Sequence, residues 1–180
     1  MDIDILIEDP AWETTDLRQL SLVAPKAVFA ELSLSRPHAV ISILACDDAR
    51  IAALNAQFRG RDTATNVLSW PGQNRCATTP GHMPDLHNLS TDLGDIALAF
   101  GTIMREAREI PKPFDHHLTH LLVHGVLHLL GFDHTTQADA ALMENLETRI
   151  LARLGVPDPY SPNGYLGPVH GSERVDDFKS

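Results

Sequence analysis

Cysteine is scarce in this sequence. There are two, Cys46 and Cys76, without the CxxC spacing, so no disulfide framework can be built from them. Long apolar runs are missing as well, and no stretch approaches the ~18 residues that would indicate a membrane span. Residues 1–10 (MDIDILIEDP) are acidic and lack both the positive start and the long apolar stretch of a secretory signal. The expected location is therefore the cytoplasm, with no membrane contact. Positive charge is also in short supply. Against 24 Asp and Glu there are 14 Lys and Arg, a net charge of −10, which argues against a protein that coats nucleic acid nonspecifically. No internal repeat is present.

The 180 residues suffice for one domain with a proper core, and 43 % apolar and 21 % charged content are ordinary for a globular protein. The charge is uneven. Residues 59–112 hold six basic and six acidic side chains, including Arg59, Arg61, Arg75, Arg105, Arg108 and Lys112, so an acidic body can still carry a local cationic surface.

Ile3, Ile5 and Ile7 alternate with Asp4 and Leu6 in a short strand that Pro10 stops. A helix is expected over Thr15–Leu34, with Pro25 either bending it or marking its first turn. Ala39–Ala45 reads as a strand. Asp47 is a good N-cap for a helix Ala49–Phe58 that Gly60 ends. Val67–Trp70 and Leu93–Phe100 read as strands on either side of an aperiodic loop, 72–92, of a length that is usually functional or disordered. Helices follow over Thr102–Glu109, Asp115–Leu130 and Thr135–Leu154, the last with Leu142, Leu146, Ile150 and Leu154 on one stripe. Strands interleaved with helices give an α+β class: a single domain, residues 1–156, with a small mixed sheet packed with helices. Residues 157–180 are expected to form a largely disordered tail, too poor in apolar residues to offset the cost of ordering.

The decisive segment is His124-Gly-Val-Leu-His128-Leu-Leu-Gly131-Phe-Asp-His134. On a helix, positions i and i+4 share a face, so His124 and His128 can direct both imidazoles at one ion. Gly131 can stop the helix and reverse the chain, bringing His134 back as a third nitrogen. Packing alone explains the set poorly, because three buried imidazoles need partners for six ring nitrogens. Three protein nitrogens with an open position describe a catalytic zinc site, one ion per chain, although nickel or another transition metal suits the same ligands. His120 continues the row; it is a candidate to support a ligand from behind, although a helix-surface or satisfied core histidine is the commoner case. The offsets match the HExxHxxGxxH signature of metalloproteases except that the general-base glutamate is replaced by Gly125. That departure argues against peptidase chemistry.

With this segment the chain resembles the YbeY family of metal-dependent bacterial endoribonucleases, the rRNA maturation factors. Arg59, Asp62 and Thr65-Asn66-Val67-Leu68-Ser69-Trp70-Pro71 look like the family's R-x-x-D-x-x-T-N-V-L-S-F-P block. Leu93-Gly94-Asp95-Ile96 looks like its L-G-D-I strand, and Leu154-Gly-Val-Pro-Asp-Pro-Tyr160 like its usual ending. The resemblance covers about residues 3–161. It implies an α+β fold and a metal-dependent, single-strand-specific endoribonuclease. Such an enzyme acts at the 3′ end of small-subunit rRNA and in ribosome quality control, with ribosomal RNA and small-subunit components as partners. It also implies catalytic roles for Arg59, His124, His128 and His134, the three histidines being the metal ligands.

The chemistry is consistent with that implication. Zinc lowers the pKa of a bound water from ~15.7 to near 7, which removes the need for a strong base. Arg59 offers planar donors to two phosphate oxygens. Asp95 is a candidate either to orient a ligand histidine or to satisfy a strand end, and Thr65, Asn66 and Ser69 are expected to hold the turn before their strand. Two other classes are a metal-dependent hydrolase of another bond, peptide included, and a non-catalytic ribosome assembly factor.

Overall fold

The computed structural model describes residues 1–35, 38–110 and 112–161. Of the tail expected over 157–180, residues 162–180 fall outside these, whereas 157–161 are described and are tied through Asp158 to Thr148 of the preceding helix.

Strand β1 (Asp2–Ile7) pairs in parallel with β2 (Val40–Cys46), and β2 in parallel with β4 (Asp92–Ala99). Strand β3 (Val67–Pro71) runs antiparallel along the outer side of β4, giving a four-stranded mixed sheet of order β1-β2-β4-β3. The period-2 alternation decides which side chains meet which layer. Ile3, Ile5 and Ile7 of β1, Ile41 and Ile43 of β2, and Ile96 and Leu98 of β4 enter the main core. There they meet helices α1 (Leu17–Glu31), α4 (Phe114–Leu129) and α5 (Gln137–Arg153). On the opposite face Cys46, Leu68, Ala97 and Ala99 form a smaller cluster with Ile51 of α2 (Asp48–Arg59). Helix α3 (Phe100–Glu109) follows β4 directly.

The expected α+β architecture is therefore present, with differences at particular places. Phe100, expected to finish a strand, begins α3. Pro25 lies inside α1 and is buried there, so it does not mark the first turn. Pro10 does more than stop β1: it opens a 3₁₀ helix, Pro10–Thr14, capped by Asp9. That turn delivers Trp12 into the core, where its indole donates to the Cys46 carbonyl at 3.0 Å.

Asp47 caps α2 by accepting from the Arg50 amide at 2.7 Å, and Gly60 closes the helix. Asn55, buried on the same helix, donates to the Thr63 carbonyl at 2.8 Å and so ties down the loop leading to β3. Helix α4 lies directly beneath β3 and β4. It approaches so closely that a Cβ at Gly125 would sit 3.0 Å from Ile96 Cδ1 and 3.3 Å from Ser69 Oγ. A larger residue there must displace the Ile96 and Ser69 side chains or the helix itself. Gly125→Glu is expected to lower stability by at least the ~1–3 kcal/mol typical of overpacking. Thermal unfolding of the apo-protein measures it, and an unchanged melting temperature would show that the helix has room to move.

Candidate metal centre

The most apolar helix of the chain carries the histidines. Leu118, Leu121, Leu122, Val126, Leu127 and Leu129 bury α4, and His120, His124 and His128 form one stripe at successive i+4 steps beside them. The helix ends at Leu129 with Leu130 as its C-cap, and Gly131 follows with φ +94°, a left-handed conformation that turns the chain back. Space dictates the same residue, since a Cβ there would come within 2.7 Å of Arg75 Cβ. His134 then returns over the helix end. Its loop is pinned by Asp133, which accepts from the His134 amide at 2.8 Å and from the Thr135 hydroxyl at 2.5 Å.

The three rings converge, with centroids 4.5 Å apart for His124 and His128, 5.0 Å for His128 and His134, and 5.4 Å for His124 and His134. One ligand nitrogen from each can be chosen so that all lie within 4.8 Å of one another. The outer nitrogens are already assigned. Nδ1 of His124 donates to Glu147 Oε1 at 2.7 Å, and Nδ1 of His128 donates to the Phe132 carbonyl at 2.9 Å. A neutral imidazole carries one N–H, so the two Nε2 atoms face each other at 3.0 Å as bare lone pairs. That contact is repulsive without a cation between them, and the donor set fits a divalent transition ion. Burial, followed by the neighbouring His124 and His134, pushes the His128 pKa down to about 4, so this ring stays neutral and ready to ligate at neutral pH.

Glu147 was not singled out in the sequence. It lies on α5 with no exposed surface, among Met143, Leu146, Ile150 and Leu151. Its Oε1 accepts from His124, and its Oε2 accepts from His120 Nε2 at 3.0 Å and from the Tyr160 hydroxyl. Burial alone would raise its pKa. The hydrogen bonds from His120 and His124 outweigh burial and bring it down to about 2, so a carboxylate is maintained. A surface or core histidine is the commoner case at such a position, but His120 stands behind the site on the same carboxylate as His124. Asp95 does not. On β4 it shares a face with Ala97 and Ala99, opposite to Ile96, which touches Gly125. The strand's alternation turns its carboxylate away from every histidine of α4, and Glu147 takes the orienting position.

A cavity of about 180 Å³ joins the histidines to the rest of the predicted set. Its lining is Arg59, Thr65, Asn66, Val67, Ser69, His124, His128 and His134. Arg59 is the last residue of α2 and enters from the side. Thr65, Asn66 and Ser69, expected only to hold a turn, line the cavity too. Asn66 does both: its Oδ1 accepts from the Val67 amide at 2.7 Å, and its Nδ2 donates to Glu106. Glu106 is held in turn by His117 Nε2 at 2.7 Å. A larger hollow of about 800 Å³, with Leu6, Phe58, Trp70 and Asp95 in its lining, lies over the other face of the sheet and includes none of these histidines.

The family model described as Endoribonuclease YbeY matches residues 6–155. The chain belongs to that family. YbeY proteins are endoribonucleases, enzymes that hydrolyse RNA phosphodiester bonds, and the relatives agree. Endoribonuclease YbeY of Jannaschia sp. (strain CCS1) is 61 % identical over 160 residues, covering 89 % of this chain and 100 % of the relative. That of Dinoroseobacter shibae is 53 % identical over 162 residues, covering 88 % and 90 %. The solution structure of a Thermotoga maritima protein aligns with a TM-score of 0.52 at 23 % identity, covering 90 % of this chain and 98 % of that one, a likeness of fold. No helix among the described residues is long and apolar enough to cross a membrane.

Proposed function

We propose that this YbeY-family chain cleaves single-stranded ribosomal RNA near the 3′ end of the small-subunit RNA, in rRNA maturation and ribosome quality control. The ion is zinc, one per chain, on His124, His128 and His134. Ribosomal RNA and small-subunit components are the partners, and the cytoplasm is where they are met. The observation that carries this reading is the single small cavity in which Arg59 and the three histidines meet.

The residues divide the work. His124 and His128 are held by Glu147 and the Phe132 carbonyl with both Nε2 atoms directed inward, and His134 completes the set from its loop. These three histidines would hold a Lewis-acidic ion, whose chemistry when bound would be to make water nucleophilic at neutral pH. Arg59 presents a planar guanidinium that grips phosphate oxygens as their negative charge grows. Thr65 and Ser69 line the cavity between them with hydroxyls that can donate or accept. No carboxylate stands at position 125, where helix and sheet touch, so the peptidase general base has no counterpart there.

The test is cleavage of an RNA carrying the small-subunit 3′ end, with and without chelator, beside casein. Cleavage of the RNA alone, lost on chelation and restored by Zn²⁺, is the expected result. Cleavage indifferent to chelator, or digestion of casein in place of RNA, would overturn it.

A further inference from the structure

We propose that Tyr160 is a positioning residue for the metal centre, its hydroxyl closing on Glu147 Oε2 so that Oε1 stays on His124 Nδ1. This rests on the three-histidine ion site proposed above.

Tyr160 lies beyond α5, within the expected tail. That stretch is built to bring it back. Val156 is buried, and its amide donates to the Leu151 carbonyl at 2.9 Å. Asp158 Oδ1 accepts from the Tyr160 amide at 3.0 Å and from the Thr148 hydroxyl of α5 at 3.2 Å, which turns the phenol towards the helix pair. The ring meets His120 edge-on at 5.8 Å, and the hydroxyl donates to Glu147.

The consequence follows from how many donors one carboxylate must serve. Glu147 has no exposed surface and two oxygens. Donors from His120 and Tyr160 fill Oε2, leaving Oε1 to His124. Without the phenol, Oε2 is left with His120 alone, and the carboxyl group can rotate or admit water. His124 Nε2 would then wander from His128 Nε2. Such outer partners typically alter metal affinity by ~10–100-fold.

The test uses the full chain loaded with Zn²⁺. Tyr160→Phe keeps the ring on His120 and removes only the hydroxyl. Release of Zn²⁺ to excess EDTA should be about tenfold faster than in wild type. The melting temperature of the apo-protein should fall only slightly, because His120 still donates to Oε2, and by too little to account for the faster release. The Nδ1–H proton resonance of His124 should move. In a Glu147→Gln background the same substitution should add little, because the acceptor it serves has changed. Equal release rates in wild type and Tyr160→Phe would overturn the proposal. So would faster release that tracks a lower apo melting temperature and persists undiminished beside Glu147→Gln, which marks a merely structural side chain. A wild-type protein that takes up no Zn²⁺ would overturn the ion site itself, an outcome distinct from the others.

Discussion

Arg59→Glu is expected to cleave RNA at least about 100-fold more slowly than wild type while keeping a full complement of bound ion. The size follows from losing a preorganised donor to transition-state charge, which commonly costs ~10²–10³ in rate. The new carboxylate also faces an anionic substrate. Metal content is spared because Arg59 comes from α2, whereas every ligand comes from α4 and the loop after it. Stability should fall only slightly. Arginine in the last turn of α2 complements the helix dipole, and reversing its charge there costs roughly 0.3–1 kcal/mol. Single-turnover cleavage with elemental analysis of the same sample checks both halves. Wild-type cleavage by the variant would remove the arginine from the mechanism, and loss of the ion would mean that it belongs to the metal site.

The largest effect should come from the most enclosed ligand. His128→Ala is expected to lose the ion and reduce RNA cleavage to background. It should also lower the melting temperature of the apo-protein, because the Phe132 carbonyl loses its donor and the site gains a void. His134→Ala provides the contrast. That ring is exposed, and its loop is held by Asp133 through backbone and Thr135, so metal should be lost with little change in the apo melting temperature. Elemental analysis and thermal unfolding of the two variants separate ligation from packing. If both retained the ion at one per chain, the ligand assignment would fail.

The parts that were legible in the sequence are those governed by local periodicity. The i, i+4 histidine pair, the stop at Gly131, the Asp47 cap and the alternation in β1 each follow from a few neighbouring residues, and the structure places them as expected. Three-dimensional neighbours were harder. Asp95 stands within a family-like motif, but its face of β4 depends on the register with β2 and β3, which no single strand reveals. Glu147 sits one position from Leu146 on the expected apolar stripe of α5. A charged residue at the spacing of Met143, Ile150 and Leu151 was a usable signal, since a buried carboxylate demands donors. In the sequence Gly125 stands out only as the missing peptidase glutamate. Only the approach of α4 to Ile96 and Ser69 shows that the space beside it is filled by the sheet. Tyr160, in the stretch expected to be tail, has its partner one helix back on α5, a contact set by the turn at 155–160 that no local periodicity reveals.

The most direct measurement is a titration of metal-free protein with Zn²⁺, recording bound ion and RNA cleavage on the same samples. Cleavage should rise in proportion to occupancy and level off at one ion per chain, and Arg59→Glu should bind to the same level without cleaving. Full cleavage by protein holding no ion, or saturation of binding with no cleavage in the wild type, would contradict a metal-dependent nuclease centred on His124, His128 and His134.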